Sequence, residues 1–483
     1  MNVDLLRRRG EQLNGELGRE SYRAGAGLVA DTDFAGIFAR YPELTQPEAW
    51  EAAQPVRPLR EWVADMTVGR AVADLDDRLH AWEARAEVPL RGGGSIPYQR
   101  IGIAIANEPD RARRLELDRA RRGVLGEPAA LRAERLVRES ELLVSLTGRD
   151  YVAARSELSG IDLDALDEQC RRFLSETADM YREVLHERLA ELGIRPADAE
   201  RSDGAWLSRA TGFDEFFPGP ELVATARRQV SELGLDLEVG GRVVLDVEDR
   251  ERKRARAFCS PVRVPGEVYL VIRPFGGFLD YRAFWHELGH ALHYANTAAD
   301  LPFEARWLGD NSVTEGYAML FEYQLVQPAW LRRYARMSGQ KLERFIRLQA
   351  FTLLAMVRRY AAKLGYELAL HRSGDPGKGA LEYAPRLTEA TGFRYAQEDA
   401  LLDLDDAFYA ARYLRAWQYE ATLRGLLVER FDEDWFRNPK AGPFLLDLFA
   451  RGQRDDAAQL AQQLTGAPLD FAPLSGSCEA ALR

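Results

Sequence analysis

Along most of the chain apolar residues recur every three to four positions, and this spacing predicts successive amphipathic helices rather than strands. Within roughly the first 230 residues the clearest run is Leu166, Cys170, Phe173, Tyr181, Val184, Leu185, Leu189 and Leu192, all on one face of a single helix that Gly193 and Pro196 end. The polar run 196–204 is a candidate connection between lobes, and the stretch 373–379, Ser-Gly-Asp-Pro-Gly-Lys-Gly, is a second. Between residues 242 and 274 the period changes. The segments 242–248 and 267–273 are short and β-branched, with Pro265 and Gly266 as turn residues between them, so they predict strands. From Asp280 the helical period returns and holds, with interruptions, to about residue 465. The fold class these patterns give is mainly α, with one small β-sheet.

Composition narrows the function. With 46% hydrophobic and 29% charged residues over 483 positions, the chain can bury a sizeable core. Acidic residues outnumber basic ones by 76 to 65, and a net charge of −11 offers no general attraction for a phosphate backbone, which argues against nucleic acid as a partner. No stretch approaches the roughly 18 uninterrupted apolar residues needed to cross a bilayer, so no membrane partner is expected. The first residues, MNVDLLRRRGEQ, lack the apolar core of a secretory signal, and three widely spaced cysteines form neither a disulfide framework nor a thiolate site. A cytoplasmic location is the expectation.

The chemistry is concentrated at 284–293, Phe-Trp-His-Glu-Leu-Gly-His-Ala-Leu-His. In H-E-x-x-H, His286 and His290 lie four apart, so on a helix both imidazoles leave one face while Glu287 between them is placed as a general base. Only 6 histidines occur in the chain, so the pattern arises by accident at a rate on the order of one in a hundred. Asp280 is predicted as N-cap, and Phe284, Leu288, Ala291, Leu292 and Ala295 form a separate apolar stripe for the core. Gly289 leaves room for a close approach. A catalytic zinc needs a third protein ligand and one open position. The third-histidine pattern fails, because His293 and Asn296 stand at its glycine and histidine positions. A carboxylate must serve, from Glu304, Asp310 or Glu315. Glu315 is favoured because 312–322 opens a second helix with Val313, Tyr317, Leu320 and Phe321 as its core face; yet Ser312-x-x-Glu315 is also a capping box. Glu322, on the same face, is placed to hydrogen-bond a ligating histidine, and His293 to support rather than ligate.

These residues resemble the thimet oligopeptidase and oligoendopeptidase F family of zinc peptidases, which carry HE-x-GH and a ligating glutamate 25 residues on. His290 to Glu315 is that interval, HELGHALH and EGYAMLFE match the two zinc helices, and 256–260 with the strand at 267–273 looks like the cleft-lining segment. The stretch 408–417 is similar to the family's tyrosine-rich helix, with Tyr409 and Tyr413 matching two hydroxyls that face the zinc. Ala416 stands where another tyrosine is expected, and no histidine follows His371. Read without the family, Tyr409, Tyr413 and Trp417 are an aromatic stripe at helical spacing. The resemblance implies one zinc ion held by His286, His290 and Glu315, with Glu287 as base. It also implies two helical lobes enclosing a deep channel, divided as a helical lobe 1–205 and a catalytic region 206–483, the lobes not necessarily continuous in sequence. Short unstructured peptides are the implied substrates, lying extended along the edge of the 267–273 strand. Alternatives are a peptidyl carboxypeptidase resembling angiotensin-converting enzyme, with Arg412 and Tyr413 as the counterpart of its Arg-Tyr pair, and a zinc-binding pseudopeptidase.

Overall fold

The computed structural model describes residues 1–483. Twenty-two α-helices and two small sheets make it mainly α, as the apolar period predicts. No helix is long and apolar enough to cross a membrane. The chain forms two compact units, each assembled from separated segments. One comprises Met1–Val63, Ala210–Arg347 and Arg412–Ser477; the other comprises Ala64–Arg209, Leu348–Ala411 and Cys478–Arg483. The first 63 residues share a unit with the H-E-x-x-H segment.

The unit that holds Ala64–Arg209 is helical apart from a hairpin, Glu87–Pro89 with Ser95–Pro97. The apolar face from Leu166 to Leu189 is buried as predicted, but it belongs to two helices, Leu163–Glu176 and Ala178–Glu191, not one. The break has a cause in the packing. The buried Arg358 guanidinium donates to the Leu174 carbonyl at 2.7 Å and to Thr177 Oγ1 at 2.6 Å, replacing bonds that a continuous helix would make internally. Leu192, at the frayed end, is 40% exposed rather than part of the buried face. The runs 196–204 and 373–379 both lie inside this unit, and each contains a short helix instead of a link between lobes.

The other unit carries a three-stranded sheet against helices. Its strands are β1 (Val243–Asp246), β2 (Phe258–Arg263) and β3 (Glu267–Val271), in the order β1-β3-β2. β1 runs parallel to β3, pairing Val243 with Val268, and β2 runs antiparallel to it, pairing Phe258 with Val271. β2 was not predicted, since Cys259, Ser260 and Pro261 carry no β-branched signal. Its presence overturns the expectation of a free edge at 267–273: β3 is central and paired on both sides. Helix α1 (Val3–Gly25) lies on β2, where Ser260 Oγ donates to the Gly18 carbonyl at 2.8 Å and Tyr22 stacks on Tyr269 at 3.7 Å. Beyond the sheet come α2 (Phe278–Asn296) and α3 (Asn311–Gln324), packed closely together.

Candidate metal centre

α2 begins differently from the prediction. Asp280 lies inside the helix, and its carboxylate accepts the Phe275 and Gly276 N–H groups of the preceding loop, at 2.7 and 2.8 Å. The helix end itself is met by Asp214, a residue distant in sequence, which accepts the Phe278 N–H at 2.9 Å. The predicted apolar stripe holds: Phe284, Leu288, Ala291, Leu292 and Ala295 are all fully buried. They fix the rotation of α2 so that His286 and His290 leave the opposite face, half-buried, with ring centroids 5.0 Å apart.

Of the three carboxylate candidates, one meets the histidines. Glu304 is held by Arg7 at 2.6 Å. Asp310 is the N-cap of α3, accepting from Ser312 N at 3.0 Å and from Ala457 N at 3.1 Å. Because Asp310 caps, Ser312 cannot, and the capping-box alternative for Glu315 falls away. Glu315 instead places Oε2 at 3.3 Å from His286 Nε2 and 3.6 Å from His290 Nε2. The three residues form a group whose donor atoms all lie within 4.8 Å of one another.

Each imidazole is steered from its other nitrogen. His286 Nδ1 is 2.7 Å from Glu322 Oε2, and Glu322 is paired in turn with Arg282. His290 Nδ1 is 2.9 Å from Thr314 Oγ1. With both Nδ1 atoms engaged, both Nε2 atoms are turned toward Glu315, the arrangement that a nitrogen–nitrogen–oxygen metal site requires. Charge follows the same lines. Burial disfavours a proton on His286, but the carboxylates of Glu315 and Glu322 outweigh it and push its pKa up to about 10. Burial would raise Glu315, yet the two histidines hold it well below the carboxylate range; Glu322 is held down likewise by Arg282 and His286. His293 is the exception. Burial lowers its pKa to about 3, and its Nε2–H donates to the Gly452 carbonyl at 3.3 Å, so it is a neutral core histidine packed against Tyr317, ring centroids 4.9 Å apart.

Distances decide between an ion pair and an ion site. A good charged N–H···O bond is about 2.7–2.9 Å long, and both Glu315 separations exceed that. Donors held about 2.0–2.1 Å from a tetrahedral ion stand about 3.3–3.4 Å apart; the His286 separation of 3.3 Å matches this and the His290 separation of 3.6 Å is slightly wider. The donor set therefore fits a divalent metal.

Glu287 is half-buried beside this group, and its Oε2 accepts the Cys259 N–H of β2 at 2.9 Å. This contact brings the unpredicted strand to the site. Helix α4 (Tyr409–Phe431) supports α3 through Trp417, which donates to the Tyr323 hydroxyl at 2.7 Å, and through Tyr419, whose hydroxyl donates to that of Tyr317 at 3.1 Å. Tyr413 is half-buried with its ring 5.9 Å from Trp417, and Tyr409 opens the helix within the other unit. Ala416 is fully buried. Arg412 is ion-paired with Glu61. Sequence reasoning missed Thr314 and Asp214 and placed Cys259 only within the stretch 256–260 that resembles a cleft-lining segment; Thr314 left a local trace, since it precedes Glu315.

No protein-family model matches the chain, and no curated protein matches it in sequence. Solved structures do match in fold. PZ peptidase A aligns over 97% of this chain and 86% of its own, with a TM-score of 0.64 at 13% identity. A protein assigned as oligoendopeptidase F aligns over 97% of this chain and 84% of its own, with a TM-score of 0.61 at 13% identity. Metallocarboxypeptidase 1 of Trypanosoma cruzi aligns over 100% of this chain and 99% of its own, with a TM-score of 0.61 at 16% identity. The fold is that of these peptidases, of the oligoendopeptidase type.

Proposed function

We propose that the chain is a zinc metallopeptidase that hydrolyses short unstructured peptides, with His286, His290 and Glu315 as ligands and Glu287 as general base. The observation that carries this reading is the spacing of Glu315 Oε2 from the two Nε2 atoms, 3.3 and 3.6 Å, each imidazole being steered from behind by a different hydroxyl or carboxylate. Zinc bound there would supply Lewis acidity toward a water and toward the scissile carbonyl. The chain's own residues supply the proton traffic. Cys259 N–H holds Glu287 Oε2, which leaves Oε1 to take a proton from the attacking water and return it to the departing amine. Of Tyr409 and Tyr413, the two tyrosines expected to serve the developing oxyanion, Tyr413 is kept in this role because it shares a unit with the three ligands. The test is Glu287→Gln: hydrolysis of a quenched peptide should collapse while bound zinc, counted by elemental analysis, stays at one per chain. Hydrolysis unaffected by this change would rule out the mechanism.

A carboxypeptidase is the second reading, favoured by the near-complete mutual coverage with the Trypanosoma cruzi metallocarboxypeptidase. Against it, Arg412, the residue that would receive a substrate carboxylate, already neutralises Glu61. Endopeptidase action is therefore preferred. Peptides with amidated C-termini separate the two, because only a carboxypeptidase would lose them as substrates.

A further inference from the structure

The two histidines of the H-E-x-x-H pattern are equivalent in sequence but not in support. His286 faces a carboxylate, itself charge-paired with Arg282, whereas His290 faces the neutral hydroxyl of Thr314 at 2.9 Å. Thr314 is fully buried in the first turn and a half of α3, one residue before Glu315. A helical threonine usually turns its hydroxyl back onto a carbonyl of the preceding turn; this one reaches across to α2. The phenol of Tyr294, one turn beyond His290 on the same helix, is a second hydrogen-bond partner of Thr314.

We propose that Thr314 is the positioning residue for His290, and that Tyr294 sets the direction of the bond between them. A threonine hydroxyl has one proton. When that proton goes to the Tyr294 oxygen, Thr314 Oγ1 can only accept, so Nδ1 must carry the hydrogen and Nε2 must present its lone pair toward Glu315. The relay runs one way: His290 Nδ1–H to Thr314, then Thr314 Oγ1–H to Tyr294. It fixes the imidazole tautomer without adding a charge on this side of the site, which leaves the single buried carboxylate behind His286 as the source of asymmetry between the two ligands. The proposal rests on the metal-site reading above, since a tautomer needs fixing only if Nε2 binds something.

The test uses the full chain with four variants: Thr314→Val, which keeps the shape and removes the oxygen, Thr314→Ser, which restores it, Tyr294→Phe, and His290→Ala as a reference for a lost ligand. Affinity for zinc is measured by chelator competition, and the visible absorption band of the cobalt-loaded protein reports ligand geometry. Loss of a partner behind a ligating histidine weakens metal binding about 10–100-fold. Thr314→Val should fall in that range with an altered cobalt band, Thr314→Ser should bind as the parent does, and Tyr294→Phe should weaken binding by less than Thr314→Val. Parental affinity and an unchanged band in Thr314→Val would overturn the proposal, as would a serine variant as weak as valine, which would assign the effect to the methyl group's packing. If Thr314→Val fails to fold, Tyr294→Phe decides: parental affinity there overturns the relay. Should the parent itself bind no better than His290→Ala, the metal-site reading fails as well, and that result is distinct from the others.

Discussion

Gly289 lies between the two histidines on α2, and replacing it with alanine should loosen the metal site while changing none of its ligands. A Cβ there would stand 2.7 Å from Ala318 Cα and 2.7 Å from the Tyr317 carbonyl oxygen of α3. Ordinary contact needs about 3.5–4.0 Å, so the helices must part by about 0.8 Å or more. The obstacle is backbone, and no rotamer change relieves it. Overpacking of this kind costs about 1–3 kcal/mol; alanine's better helix propensity returns about 1 kcal/mol, which leaves a net loss of up to about 2 kcal/mol. Because α2 carries both imidazoles and α3 carries Glu315, that separation also widens the 3.3 and 3.6 Å spacings, away from the donor spacing of a tetrahedral ion. If the same strain appears in metal affinity, zinc binding weakens by up to about 30-fold, at 1.4 kcal/mol per decade. Chelator competition and thermal unfolding of the metal-free protein measure the two parts. Gly425→Ala is the control: nothing lies within 4 Å of a Cβ on this exposed position of α4, so it should be neutral or slightly stabilising. A Gly289→Ala protein with parental zinc affinity and parental melting temperature would refute the reasoning.

Three further outcomes are expected. Glu287→Gln should lower kcat by about 10²–10⁴-fold, the usual share of a general base, with zinc content unchanged; single-turnover assays check it. Metal affinity should rise with pH through the neutral range, because zinc must displace the proton that two carboxylates hold on His286 with a pKa of about 10; affinity that is flat from pH 6 to 9, measured by competition with a chelator corrected for its own protonation, would contradict this. In the other unit, Lys363 sits 2.7 Å from Asp405 but 3.8 Å from Glu367, so Asp405 takes the charge and burial pushes the Glu367 pKa up to about 8. A carboxyl raised in the folded state contributes stability that is complete below its unfolded pKa and is lost as pH climbs through its folded one. Glu367→Gln should therefore match the parent near pH 4.5 and become more stable than it by up to a few kcal/mol above about pH 8; a melting-temperature difference independent of pH would sink this account.

The three residues of the candidate metal site were legible in the sequence because they depend on local periodicity. His286 and His290 share a face through the four-residue spacing alone, and Glu315 could be chosen because its helix announces its own start. What decides their orientation was less visible. Asp214 caps α2 from 64 positions upstream of Phe278, and no short-range pattern encodes that. β2 escaped because its residues gain strand character only from pairing with β3, and the order β1-β3-β2 cannot be read from runs taken one at a time. The unit boundaries were hidden for a different reason. Three of the crossings fall inside the helices Arg57–Arg85, Gly339–Ser373 and Tyr409–Phe431, where the apolar period continues without any turn residue to mark the change.

All three donors of the candidate site fall between positions 286 and 315, joined by one short excursion of chain. Closing a loop of that length is entropically cheap, so the denatured polypeptide keeps its two imidazoles and its carboxylate at high mutual concentration and can chelate weakly without any tertiary structure. An ion that binds both states protects the folded one only by the difference in affinity. Metal addition should accordingly raise the melting temperature less than the dissociation constant of the native protein implies, and the shortfall would measure how tightly the disordered chain grips the ion.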